Sequence, residues 1–483
     1  MTLPLTEDQL AELNGELYDD EPALPPAKKR KAKGESKDAK FLDPASTAEK
    51  YIAGDSQDQL PMQRYWRGSF WGWSRSAYRE QAASEARARL VQHLNRNFVN
   101  LTTRVTNDVL DQLKAQTILD GRTTQPAWLD GRDEWKAHEV LCCPNALIHL
   151  PSFVAGKSYS HPPTPAFFST AALDFDFSPN APEPTAWLNF LHEDLWRGDE
   201  QSVETLQDWF GYVLVADTRL QKMLTLIGPK RAGKGVIARV LRSTVGAANV
   251  AGPTLASFAQ NFGLQALIGK SLAIISDARL SGRQDSAVVV ERILSITGED
   301  SLTIDKKYKE PITGPLSTRL MLLSNEIPRL ADASGALASR MILLRLDRSF
   351  YGNEDHQLTD KLLTELPSIL LWAIQGWKRI WERGHFVQPE SAVDLVETMA
   401  DLCSPMSAFV KDKCEVGPEH SCLMEDIYVA WCDWCKLKGR RESGTEQQFG
   451  KDIRATVPSL RSARPRVDGE RATEYEGIRV RFF

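Results

Sequence analysis

At 483 residues, with 42% hydrophobic and 25% charged side chains, the chain exceeds one ordinary core and has the make-up of a soluble protein of about three domains. No apolar run reaches membrane-spanning length, and the opening MTLPLTEDQL has no basic segment ahead of an apolar block, so neither a membrane protein nor a secreted one is expected, and the chain is placed in the cytoplasm. A net charge of −5 excludes a generally basic surface, which leaves any nucleic-acid contact to local patches, and seven cysteines, with Cys142 and Cys143 adjacent, make no disulfide framework.

Residues 1–55 mix acidic stretches, the Pro-rich EPALPP and the basic run Lys28 to Lys33 with little apolar periodicity, the pattern of a disordered tail. The basic run suits either a nucleic-acid contact or a solvated linker. Trp66, Phe70, Trp71 and Trp73 then open a folded region, followed by the helical pattern YREQAASEARARLVQHL. Short strands and loops are expected from Asn145 to Phe168, and a helix from Val203 to Leu214. Residues 56–205 are therefore read as a mainly helical domain with a small β element.

Over residues 206–387, strands are expected at Met223–Ile227, Leu272–Ile275, Leu320–Leu323 and Met341–Leu346, with helical segments between them and a short core run at Ile369–Ile374. That alternation predicts an α/β sheet covered on both faces. Residues 395–483 carry helical patterns at Met406–Lys413, Met424–Leu437 and Phe449–Thr456, then a basic ribbon from Arg461 to Phe482, which together suggest a winged helix. Cys432 and Cys435 could join Cys414, His420 or Cys422 around zinc, but the spacing fits no common zinc module and the flanking Trp431 and Trp434 favour a structural core.

The sharpest local motif is Gly228, Pro229, Lys230, Arg231, Ala232, Gly233 and Lys234, the first seven places of a phosphate-binding loop. It directly follows a predicted strand and precedes a helix with apolar residues at Val236, Ile237, Val240 and Leu241. Backbone amides at a helix start cradle phosphates there, and Lys234 is placed to reach the β and γ oxygens. The eighth place, where a hydroxyl normally holds Mg²⁺, is Gly235. Asp277, after the strand Leu272–Ile275, is the candidate metal-holding carboxylate, with a strand-terminal turn as its bland reading. No second acid adjoins it; Glu291 and Asp285 are the candidates for orienting water. Asn325, at the tip of another strand, suits a γ-phosphate sensor. Arg340 suits either a buried salt bridge or an arginine finger reaching a neighbouring subunit's nucleotide.

Taken in order, GPKRAGKG, LAIISD, ITGEDSLTIDKKYKE, LMLLSNEIPRL and DASGALASRM resemble the superfamily 3 helicase domain of phage and plasmid primase-helicases, a family that includes the poxvirus primase-helicase. Residues Asn145 through Trp209 look like the region preceding the helicase in that family, and the end of the chain looks like its winged helix. The resemblance implies an AAA+-like P-loop NTPase that binds ATP and Mg²⁺ between the subunits of a hexameric ring and moves on single-stranded DNA in a bacterial cell or phage-infected host. It makes Lys234 and Asp277 the Walker residues, Asn325 the sensor and Arg340 the trans-acting arginine. It makes Ser301–Gly314 a channel hairpin whose Lys306, Lys307 and Lys309 grip phosphates without reading bases.

Two departures qualify that expectation. Gly235 replaces the Walker hydroxyl, and no primase domain precedes the helical region, since Asp174 and Asp176 lie within it; a separate primase is expected. Lys451 and Arg454 on the third C-terminal helix, with Arg461, Arg464, Arg466 and Arg471 on the ribbon, suit origin duplex DNA or a protein contact equally. The competing expectations are thus an ATP-driven helicase, a nucleotide-switched origin-binding or scaffold protein, and, further off, a small-molecule P-loop kinase.

Overall fold

The computed structural model describes residues 42–99, 101–276, 283–307, 309–328, 330, 332, 335–439, 443–463, 466–467, 470–471 and 473–481. The expected tail lies outside these residues as far as position 41. Its last part differs from expectation: helix α1 (Pro44–Gly54) buries Thr47, Ala48 and Tyr51, and Tyr51 meets His93 edge-on at 5.1 Å.

The aromatic cluster is strand, and strand continues through Gln81, where the helical pattern was expected to have begun. Strands β1 (Gln63–Trp66), β2 (Ser69–Ser74) and β3 (Ala77–Gln81) form an antiparallel meander. Their rings pack inward, with Trp66, Trp71, Trp73 and Tyr78 sharing a core with Phe168. Bulky rings fit a pleated, half-buried surface, which is why YREQ ends as strand before helix α2 (Ala83–Asn97) begins. Helix α3 (Thr103–Thr117) follows, and then small sheets pair Ala127–Trp128 with Phe167–Phe168 and join Val140–Cys142, Leu147–His149 and Ser160–His161. Residues 56–205 therefore hold more sheet than the helical periodicity announced.

After helix α4 (Glu200–Tyr212), the chain builds a five-stranded parallel sheet from β4 (Met223–Ile227), β5 (Val250–Ala251), β6 (Leu272–Ile275), β9 (Arg319–Ser324) and β10 (Met341–Arg345). The strand order is β5-β6-β9-β4-β10. Between these strands lie α5 (Lys234–Thr244), α6 (Arg283–Thr297), the hairpin β7 (Leu302–Lys306) and β8 (Lys309–Gly314), and the short α7 (Ala336–Arg340).

Every residue of β4 is buried, and alternate residues feed different cores. Leu224 and Leu226 join Trp209, Ile237 and Ile374 on one face, while Met223 and Ile227 join Phe258, Val289 and Leu337 on the other. An unbroken apolar strand is what a two-sided parallel sheet requires. Helix α8 (Leu366–Arg383) closes the first face by crossing α4 at two glycines: a Cβ on Gly376 would lie 2.1 Å from the Gln207 carbonyl, and one on Gly211 2.1 Å from the Trp377 nitrogen. Buried Asp208 is bound there by Arg379 at 2.6 Å and also by Arg383.

The C-terminal part runs α9 (Pro405–Lys413), β11 (Cys414–Leu423), α10 (Met424–Leu437), α11 (Glu446–Thr456), β12 (Arg461–Ala463) and β13 (Glu474–Val480). Its antiparallel sheet has the order β11-β13-β12. Trp431, Trp434 and Cys435 lie in its core with Phe409 and Phe449, the structural role read for this cysteine pair's surroundings. Among the described residues no helix is long and apolar enough to cross a membrane.

Candidate functional site

The glycine loop leaves the C-terminal end of β4, an inner strand flanked by β9 and the edge strand β10. Its backbone explains its glycines. A Cβ on Gly228 would sit 2.3 Å from the Leu346 carbonyl, so only glycine lets the chain leaving β10 pass this close. Gly233 has φ of +89° and caps α5 without a side chain; a Cβ there would lie 2.9 Å from Leu195 Cδ2 and 3.2 Å from Phe190 Cζ. The start of α5 therefore carries no side-chain cap, and its leading N–H groups are of the kind that accept an anion.

Lys234 is turned back over this loop. Its Nζ donates to the Gly228 carbonyl at 2.6 Å, the Pro229 carbonyl at 2.7 Å and Asn325 Oδ1 at 3.1 Å. Partial burial holds its pKa below the ordinary lysine value. The structure thus joins two residues separated by 91 positions, because β9, which delivers Asn325, is the parallel neighbour of β4 and ends on the same side. Lys230, Arg231 and Ala232 complete the loop, with Arg231 at a φ of +60°.

Asp277 lies outside the described residues. The strand before it, β6, pairs with β9 through Ile275 and Leu322 and so ends on the loop side of the sheet. Glu291 is exposed on α6, and the side chain of Asp285 is outside the described residues. Gly235 sits at the second residue of α5 with room to spare: a Cβ there meets Arg239 Nη1 at 3.4 Å and nothing nearer.

Arg340 is not beside Lys234. It precedes β10, whose Met341 pairs with Met223 at the start of β4, so it stands at the opposite end of the sheet from its own chain's loop. Its Nη1 donates to the Leu294 carbonyl at 3.3 Å and to Thr297 Oγ1 at 3.2 Å, at the end of α6. A salt bridge, one of its two expected roles, is not among its described contacts.

The expected hairpin exists, and the structure places its lysines against the N-terminal meander. Lys309 Nζ donates to Glu80 Oε1 and Ser69 Oγ, both at 2.8 Å. Lys306 is buried, and burial lowers its pKa despite the pull of Glu80. For Glu80, burial raises the pKa, but the bonds from Lys309 and Ser69 outweigh it and hold the carboxyl below its ordinary value. Lys307 is exposed, and its backbone N–H donates to Gln265 Oε1. Nothing in the sequence around Glu80 announced this partner, 229 positions away.

In the C-terminal part, Lys451 and Arg454 lie on the outer face of α11, opposite the buried Phe449, Gly450 and Ile453. Neither forms an ion pair among the described residues. Arg461 is exposed on β12; Arg464 and the side chains of Arg466 and Arg471 fall outside the described residues.

Residues 226–340 match a family described only as of unknown function, DUF5906. The match opens at the glycine loop's strand and closes at Arg340, enclosing the loop, Asn325 and the hairpin. Among solved structures, the apo structure of the NrS-1 C-terminal region is similar at a TM-score of 0.53 and 11% identity, covering 90% of this chain and 100% of that one. An A form of the same region is similar at a TM-score of 0.52 and 11% identity, covering 90% of this chain and 99% of that one. The chain shares the fold of the NrS-1 C-terminal region. At this identity the likeness concerns the arrangement of elements over 90% of the chain, and no side chain is carried over by it.

A second set of contacts at the loop was not anticipated. Residues after β10 run along the flank away from Asn325: Leu346 N–H donates to the Ile227 carbonyl at 2.8 Å, Ser349 Oγ to the Lys230 carbonyl at 2.8 Å and Phe350 N–H to the Arg231 carbonyl at 3.0 Å. Glu354 closes the series on Arg231 at 3.4 Å. The loop is thus supported on both sides, by the Asn325 amide on one and by this segment on the other.

Proposed function

We propose that the chain is an ATP-dependent DNA translocase of the superfamily 3 helicase kind, acting as a ring on single-stranded DNA in a phage or mobile-element replication system. The observation that carries this reading is the contact of Lys234 with Asn325 at a glycine loop on an inner strand of a five-stranded parallel sheet, next to the central strand that delivers the amide. A lysine and an amide meeting over a helix start form a seat for a terminal phosphate, and the loop's glycines are required by its geometry. In this reading Asp277 would hold Mg²⁺, which would supply charge neutralisation to the phosphates of the nucleotide. Arg340, at the far end of the sheet from its own loop, serves the nucleotide of a neighbouring subunit, which fits a closed homo-hexamer.

The DNA path in this reading includes the hairpin, where backbone phosphates replace Glu80 on Lys309 and also meet Lys306 and Lys307. In this reading the C-terminal helix, strand, two helices and two strands serve as a winged helix, with Lys451 and Arg454 facing origin duplex DNA.

Steady-state ATP hydrolysis with and without single-stranded DNA tests the proposal. DNA-stimulated turnover should fall at least about 100-fold in Lys234→Ala, Asp277→Ala and Arg340→Ala. Mixed Lys234→Ala and Arg340→Ala subunits should recover part of it, because each supplies what the other lacks.

Gly235 favours one second reading, an origin-binding or scaffold protein in which nucleotide acts as an assembly switch with little turnover. ATP bound without hydrolysis under every DNA condition would establish that reading in place of the first.

A further inference from the structure

We propose that Tyr351 is the stacking platform for the nucleotide base, and that it gives the site a preference for purines without choosing between them. The proposal rests on the glycine loop being a nucleotide site and adds the position and chemistry of the base.

The segment along the loop's outer flank ends in a tight turn, in which Asn353 N–H donates to the Phe350 carbonyl at 2.8 Å and Gly352 takes a φ of +83°. A positive φ at the third place is what a type II turn demands of a glycine, and it puts Tyr351 at the apex. The turn is tied down at several points. Phe350 and Ser349 bond the loop carbonyls, Tyr351 N–H donates to Ser349 Oγ at 3.3 Å, and Glu354 accepts the Gly352 N–H at 3.0 Å while reaching Arg231.

On this anchored turn the two neighbouring rings have different surroundings. Phe350 packs against the main core and carries the Arg348 guanidinium 4.8 Å from its centroid. Tyr351 is 79% exposed and, among the described residues, touches no other ring or cation. A large aromatic side chain on an anchored turn beside a phosphate loop, with its ring left uncovered, has the character of a stacking surface.

Direction decides what it stacks on. Lys234 leans toward Asn325 on the β9 flank, so the terminal phosphate lies there. The ribose and base of a nucleotide running back across the loop leave toward the β10 flank, where the Tyr351 turn lies. Stacking reads the area of a ring and not the pattern of its edge, so ADP and GDP should be held alike and CDP less tightly.

Equilibrium calorimetry with ADP, GDP, CDP and inorganic pyrophosphate tests this without turnover, on the wild type, Tyr351→Ala, Tyr351→Phe and Lys234→Ala. We expect Tyr351→Ala to weaken ADP and GDP about 5- to 100-fold, to leave pyrophosphate unchanged, and to erase the margin over CDP, with Tyr351→Phe close to wild type. Tyr351→Ala that leaves ADP untouched, or weakens ADP and pyrophosphate equally, overturns the proposal while Lys234-dependent binding leaves the nucleotide site standing. Absence of ADP binding by the wild type, or binding indifferent to Lys234→Ala, overturns both.

Discussion

Gly228, Gly233 and Gly235 stand within eight residues and do three different things. Gly228 makes room for the Leu346 carbonyl, Gly233 takes a left-handed turn above Leu195 and Phe190, and Gly235 does neither. Gly228→Ala forces a methyl into a backbone oxygen and should lower stability by about 2 kcal/mol, with loss of ADP binding in calorimetry. Gly235→Thr meets no such obstacle and restores the hydroxyl that phosphate loops use for Mg²⁺. It should leave thermal unfolding nearly unchanged and tighten the Mg²⁺ dependence of ATP hydrolysis severalfold, read from a metal titration of the steady-state rate. Lys234 carries a pH signature of its own. Because burial lowers its pKa, the ammonium is lost at a less alkaline pH than an ordinary lysine, and ADP affinity should begin to fall correspondingly earlier as pH rises.

At the scale of elements, the hairpin and the meander form a clasp. The Lys309 and Glu80 side chains are 41% and 42% exposed, so their ion pair contributes at most about 1 kcal/mol after solvent screening. Such a pair is strong enough to occupy the lysine and weak enough for a phosphate to displace it. Glu80→Gln should tighten single-stranded DNA binding by up to about fivefold at low salt, measured by fluorescence anisotropy, and Lys309→Ala should weaken it and reduce its salt dependence. Tightening in Glu80→Gln would mark the carboxylate as a competitor of DNA, whereas weakening would mark it as a support that positions Lys309. The α4 and α8 crossing is a different kind of contact, made of backbone against backbone. Gly376→Ala should separate the helices at the cost of about 3 kcal/mol, seen as a lowered unfolding midpoint, since the Gln207 carbonyl cannot move out of the helix it belongs to.

At the scale of the whole molecule, the parallel sheet sets the candidate residues at two opposite ends. Lys234, Asn325 and the Tyr351 turn gather at the C-terminal ends of the strands, while Arg340 lies at the other end on the Leu294 carbonyl and the Thr297 hydroxyl of α6. An arginine so placed can meet a nucleotide on a glycine loop of this kind only across a subunit contact, as the proposed ring requires. Sedimentation velocity with ADP or ATP should therefore show a larger assembly that Arg340→Ala weakens, and an Arg340→Ala protein that assembles and hydrolyses ATP like the wild type would remove the arginine from the mechanism. The outer face of α11 gives the molecule a second basic surface, so Lys451→Ala with Arg454→Ala should lower duplex affinity and leave single-strand-stimulated turnover intact, which a gel-shift and an ATPase assay separate.

The sequence by itself determined the elements whose signals are local. Met223–Ile227, Leu272–Ile275 and Met424–Leu437 have the ends their apolar patterns indicate, because burial on both faces or one stripe of a helix is written in consecutive residues. The glycine loop was legible for the same reason, since its backbone conformations admit few residue types. The start of the helix after the aromatic cluster was misplaced, because Tyr78 to Gln81 fit the helical period that follows them and only pairing with the preceding strand makes them sheet. Only the tertiary structure decided that Lys234 touches Asn325, that Lys309 is held by Glu80, that Arg340 faces away from its own loop, and that the residues after β10 support the loop's outer flank. Each of these joins positions that are distant in the chain, and strand order brings them together through pairing choices that no single segment encodes.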